Sequence, residues 1–135
     1  TGIRRQRQMC IRDRFNNDYD FEDYDRAASL FWPSNKVGNG SEDIIKYWSS
    51  LKKIFSEIKF TIEHVASLDE KNNNQKATIR WFLSGKHSKD SEEFGKKTDK
   101  DLFIMGINHA ELRDDKIIRE WVLFDEVAIW KQILM

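Results

Sequence analysis

Cysteine and proline each occur once in 135 residues, and glycine only six times. One thiol closes no internal disulfide, so the chain is not a small disulfide-stapled scaffold. The sparse glycine and the single Pro33 exclude collagen-like and low-complexity classes. No apolar run approaches the ~18 residues that a bilayer-spanning helix needs, and the chain opens on no signal-peptide pattern. Net charge is also missing: 23 basic residues balance 23 acidic ones. Histidine is scarce, and His64, His87 and His109 stand on separate segments with no H-x-H or H-x-x-x-H pair, so no metal site is expected from spacing. "SGKHS" carries Gly85-Lys86, but Arg80 stands where the first glycine of a phosphate loop belongs. No serine lies in a G-x-S-x-G elbow. What the chain does have is aromatic mass, nine Phe, five Trp and three Tyr, enough for a large core or a lined pocket within one domain.

The first fourteen residues, "TGIRRQRQMCIRDR", hold five Arg, one Asp and the only cysteine. A basic arm of this kind fits a nucleic-acid tail, but its codons read better as something else. Back-translated, "MCIRDR" gives ATG-TGT-ATA-AGA-GAC-AGN, which resembles a sequencing-library transposon-end adapter. Residues 1–14 are therefore expected to be a non-native, disordered translation of that adapter, followed by one α+β domain over 15–135 that has lost native residues at its front. Without that segment 18 basic and 22 acidic residues remain, a net charge of −4. A mildly acidic domain with no clustered positive face is not expected to bind nucleic acid. Lacking cysteine, it suits the cytoplasm, and no membrane partner is expected.

Along the chain, "DFEDYDRAASLFW" from Asp20 to Trp32 reads as a short helix with acidic residues in its first turns, stopped by Pro33. "SNKVGNG" reads as a turn-rich connector. Ser41 is expected to cap a longer helix whose stripe is Ile44, Ile45, Tyr47, Trp48, Leu51, Ile54 and Phe55. The period then falls to two. "KFTIEHVAS" and "KATIRWFLSG" form a hairpin across "DEKNNNQ", with Phe60, Ile62 and His64 on one face of the first strand and Ala77, Ile79, Trp81 and Leu83 on one face of the second. Residues 86–100 read as a long, mobile, charged loop. "DLFIMGINHAEL" and "KIIREWVLFDEVAIW" are the last two strands, giving a four-stranded antiparallel meander. Helices laid on one face of a curved sheet make an α+β cone around a pocket, its other face free for a second subunit.

Asp125 is the conspicuous residue, alone in "EWVLFDEVAIW" among side chains made for burial. Strand alternation puts it with Arg119, Trp121 and Leu123, and puts Glu120, Val122 and Phe124 on the other face. An aspartate between apolar walls loses solvation and becomes able to exchange protons near neutral pH. The competing reading is a structural one, in which Asp125 caps a bend or pairs with Arg119 or Lys131. His64 reads as a histidine at the core edge and His87 as solvated.

From Gly40 onward the chain resembles the SnoaL-like polyketide cyclase (ester cyclase) group of the nuclear transport factor 2-like superfamily. The resemblance is carried by "IIKYWSSLKKIFSEIKFTIEHV", "ATIRWFLSGKHS", "MGINHAELRDDKIIREWVLFDE" and "WKQI". It implies the curved-sheet α+β roll and a cofactor-independent cyclase or isomerase with no metal. Asp125 would be the general acid/base and His109 a second donor. Trp121, Trp81, Leu123, Asn108 and Trp48 would line the site for a small hydrophobic carbonyl-containing molecule. It also implies a homodimer through the sheet. The family's turn glycine is Asp115 here; a two-residue turn at Asp114-Asp115 pairs Ile104 with Asp125 and sends His109 to the face opposite Asp125, whereas a three-residue loop with a bulge shifts the pairing by one and brings His109 onto that face. Two other readings stay open. One is an epoxide hydrolase built on Arg119 and Asp125, for which no second inward aspartate is evident; the other is a ligand-binding or dimerisation module without turnover.

Overall fold

The computed structural model describes residues 24–135; the basic segment 1–14 and the start of the helix expected from Asp20 lie outside them. Six strands form one unclosed sheet: β1 (Tyr24–Trp32), β2 (Lys36–Asn39), β3 (Phe55–Asp69), β4 (Asn74–His87), β5 (Asp101–Arg113) and β6 (Lys116–Phe124), in the order β2-β1-β6-β5-β4-β3. Among the described residues two helices join it, α1 (Gly40–Lys52) between β2 and β3, and α2 (Glu126–Leu134) after β6. The expected α+β architecture holds, with the meander as its centre.

Four sequence expectations about these elements give way. Tyr24–Trp32 is a strand, not a helix: it lies parallel to β6 and antiparallel to β2, and buries Ala28, Leu30 and Trp32 with a period of two. Hydrogen bonds to two neighbours outweigh the acidic start that suggested a helix. The connector contains β2, reached through a turn in which Ser34 and Asn35 take φ of 69° and 58°. "EVAIW" is the start of α2 rather than more strand, because the apolar run beyond Asp125 buries only Ile129 and Ile133 of the helix that follows. At α1 the N-cap is Asn39 rather than Ser41; its side chain makes no cap bond, and its N–H donates to Asp43 Oδ2 at 2.9 Å.

The hairpins keep their expected facing where no bulge intervenes. Ala77, Ile79, Trp81 and Leu83 are all buried, with Leu102, Ile104, Val122 and Phe124 from the next strands and Ile44, Trp48 and Leu51 of α1. We call this the inner face. A bulge at Glu63 moves the β3 register from Ile62↔Trp81 to His64↔Arg80, which turns His64 outward and Val65 inward. His64 is therefore exposed, not at the core edge.

The 86–100 segment is anchored by packing and hydrogen bonds. His87, expected in solvent, is fully buried: its Nδ1 lies 3.1 Å from Thr98 Oγ1, and its backbone bonds Lys100 and Asp99. Burial pushes its imidazole below the ordinary histidine value, against the opposing fields of Asp90 and Asp99. Phe94 is buried beside Trp130 (centroids 6.0 Å), and Lys100 Nζ donates to Ile133 O at 2.9 Å, so the loop clasps the end of α2. Gln132 of α2 completes the docking, accepting from Phe103 N at 2.8 Å and donating to Phe103 O at 2.9 Å where β5 runs past the end of β6.

Candidate active site

The register of β5 against β6 decides which side chains meet. Asp114 and Asp115 take φ of 50° and 64°, a two-residue turn of left-handed residues that pairs Arg113 with Lys116. A bulge follows, so pairing moves from Leu112↔Ile117 to Glu111↔Arg119 and then His109↔Trp121. The turn is the two-residue one, expected to send His109 to the opposite face, but this bulge inside the strand pair brings His109 onto the face of Trp121, Leu123 and Arg119. That face, however, is the outer one.

On the outer face Trp121 stacks on Phe31 (5.1 Å, 10°), and His109 meets its edge at 5.6 Å. Leu123 is two-thirds exposed. Arg119 bonds Glu111 at 3.0 Å, and this bond holds the Glu111 carboxyl below the usual carboxylate range. The Arg119–Asp125 arrangement required for epoxide opening is thus replaced by an Arg119–Glu111 pair.

Asp125 is not enclosed. It is exposed and forms the N-cap of α2, its Oδ1 accepting from Ala128 N at 3.1 Å. It stands at the rim of an open groove of about 530 Å³ whose apolar wall is Met105, Ile107, Leu123 and Val127. The structural alternative weighed from the sequence is the one this geometry matches. Asp125→Ala is expected to cost about 0.5–2 kcal/mol of stability and Asp125→Asn far less, because Asn caps as well. Thermal melting of both variants checks this; equal losses would contradict the capping role.

Trp81, Asn108 and Trp48 lie on the opposite side of the sheet, so the seven residues expected at one site are divided between its two faces. Trp48 packs edge-on against Trp32 (4.9 Å) at the α1 contact. Asn108 is fully buried and accepts from Trp81 Nε1 at 2.9 Å through Oδ1. Two residues absent from the sequence expectations join them. Glu120 is fully buried, and the Tyr24 hydroxyl donates to its Oε1. Asn108 pairs with Val122 and Ala110 with Glu120, so Asn108 and Glu120 are diagonal neighbours on one face. The signal for Glu120 was present in the alternation that set it beside Val122 and Phe124, a carboxylate on the apolar side. Tyr24 carried none, since its segment read as helix.

A carboxylate withdrawn from water and bonded to a phenol, with an amide nearby, is equipped to move a proton and to hold an oxygen. Among the described residues no cluster of His, Cys, Asp and Glu suits a metal ion, and no helix is long and apolar enough to cross a membrane.

Comparison with known proteins agrees with this architecture. The family model for SnoaL-like polyketide cyclase matches residues 13–133. Among solved structures, a candidate SnoaL-like polyketide cyclase from Jannaschia sp. CCS1 superposes with a TM-score of 0.77 at 16% identity, covering 98% of this chain and 94% of that one. A second from Shewanella putrefaciens CN-32 gives 0.76 at 17%, covering 100% and 87%. AclR from Streptomyces galilaeus, a candidate hydroxylase, gives 0.71 at 11%, covering 96% and 85%. No curated protein matches the chain. At these identities the structures speak for the fold alone, while the family model spans nearly the whole chain: the protein belongs to the SnoaL-like polyketide cyclase family.

Proposed function

We propose that the protein is a cyclase or isomerase acting on a small apolar carbonyl compound, with Glu120 as its general acid/base. The observation that carries this reading is a fully buried glutamate on the helix-covered face of the sheet, bonded to the Tyr24 hydroxyl. Burying a carboxylate is costly unless it is hydrogen-bonded, and at this position an apolar residue would pack without that cost. Glu120 takes a proton from the carbon beside a carbonyl. The resulting enolate closes on a second carbonyl of the same molecule, or takes its proton back at another carbon, and Glu120 returns the proton. A placed carboxylate supplies ~10²–10⁴-fold, and holding the chain near its closing geometry adds to that.

Incubation with 4-phenyl-2-butanone and related ketones in D₂O tests the reaction class. Protein-dependent loss of the α-proton signals by NMR is the expected result. Exchange no faster than in buffer across the panel would reject proton abstraction and favour a binding module without turnover. A second reading keeps Asp125 as the acid/base, favoured by the apolar groove it borders; on our reading, Asp125→Asn retains the exchange.

The outer face suits a second copy of the chain. Phe103, Met105 and Leu123 are each more than half exposed there, a concentration of apolar surface that monomers seldom carry. Leu123→Glu is expected to convert a homodimer into a monomer in sedimentation, and a monomeric parent protein would refute the pairing. We place the protein in the cytoplasm, in keeping with the absence of cysteine beyond Cys10.

A further inference from the structure

The inner face of β5 runs Leu102, Ile104, Gly106, Asn108, Ala110, Leu112, and Asn108 is its single polar side chain. Its amide has one known partner. An indole N–H can only donate, so the bond from Trp81 Nε1 must end on Oδ1, and this fixes which way the amide is turned. The Nδ2 group is left over, buried and without a hydrogen-bond partner among the described residues. Such an orphan donor is expensive, and a leucine at position 108 would avoid the cost. Were the Trp81 bond only a way to satisfy the indole, an acceptor alone would suffice.

Trp81 is itself held in an unusual slot. It pairs across the strands with Gly106, and its six-membered ring lies so close over that glycine that an added Cβ would stand 2.1 Å from Cζ2. Phe60 (5.6 Å) and Phe124 (6.5 Å) flank the ring. The missing side chain at 106 lets the indole cross β5 and reach Asn108 two residues further on.

Resting on the Glu120 reading above, we infer that Trp81 is a positioning residue that turns Asn108 so that Nδ2 donates to the substrate's carbonyl oxygen as it becomes an enolate. The substrate class follows: a carbonyl compound whose oxygen gathers negative charge beside the carbon that Glu120 deprotonates. Donation from Trp81 into Oδ1 polarises the amide and strengthens the N–H at the other end. A donor fixed before the reaction starts stabilises developing charge without reorganising.

The test uses p-nitrophenol, whose coloured phenolate mimics an enolate oxygen, bound to Glu120→Gln protein so that the carboxylate does not repel it. In that background the bound probe is expected to ionise more readily than the free probe. Adding Trp81→Phe, which keeps an aromatic ring but removes the N–H, is expected to reduce the ratio of bound phenolate to bound phenol about tenfold while the protein stays folded by melting. Asn108→Leu, which leaves the Trp81 ring in place, is expected to reduce it at least as much. An unchanged ratio in both folded variants overturns the inference and leaves the Glu120 reading standing. Failure of the probe to bind any of these proteins in either ionisation state removes both, because the inner face then has no site for it.

Discussion

Glu120→Gln is expected to abolish proton exchange, a loss of about 10²–10⁴-fold, with little change in melting temperature. The two side chains have nearly the same shape, and the Gln carbonyl still accepts from the Tyr24 hydroxyl that bonds Glu120 now. What disappears is the capacity to take and return a proton. Tyr24→Phe separates the two contributions: it leaves the carboxylate in place but removes the hydroxyl that bonds its Oε1, so a smaller kinetic loss is expected, accompanied by a measurable loss of stability. The same assay on Asp125→Asn gives the contrast, since that side chain stands in solvent at the start of α2. Full exchange activity in Glu120→Gln would end the proposal and return attention to the outer groove.

Gly106→Ala is expected to be the most disruptive small substitution in the sheet. A methyl there would lie 2.1–2.5 Å from three atoms of the Trp81 ring, which is fully buried and flanked by Phe60 and Phe124. Overpacking of this kind costs about 1–3 kcal/mol, and the rigidity of both partners argues for the upper end. Any escape of the indole also breaks its bond to Asn108, so catalysis should fall further than stability alone explains. Pairing Gly106→Ala with Trp81→Phe, a smaller ring, should cost less than the sum of the two single changes in denaturant unfolding. Additive losses would mean that the close approach of ring and glycine is not what the position requires.

The sheet was legible in the sequence wherever its chemistry is local. Ala77, Ile79, Trp81 and Leu83 alternate as read, and Asp114-Asp115 makes the short left-handed turn. Parity along β6 was also right, with Glu120, Val122 and Phe124 on one face and Trp121 and Leu123 on the other. What parity does not reveal is which face the helix covers. Trp121 and Leu123 look more like walls of a cavity than Glu120 does, yet α1 lies over the side that carries the glutamate. The bulges at Glu63 and Ile118 were equally invisible, because an extra residue in one strand shows only when its partner is laid beside it. Asp125 misled for a similar reason. A helix start and a strand interior share the pattern of one acidic residue in an apolar run, and only the chain's change of direction after Phe124 tells them apart.

The parallel contact of β1 with β6 ties the order of folding to the assembly of the proposed Tyr24–Glu120 site. Tyr24 and Glu120 are 96 residues apart, whereas every link of the β3-to-β6 meander joins sequence neighbours. Short hairpins close quickly, and a contact spanning most of the chain waits until a scaffold has lowered its entropic barrier. The meander and its apolar face are therefore expected to assemble first, with the Tyr24–Glu120 pair among the last contacts made. A chain still lacking residues 116–124 on the ribosome holds neither the glutamate nor a seat for β1, so on the Glu120 proposal chemical competence is withheld until β6 has emerged.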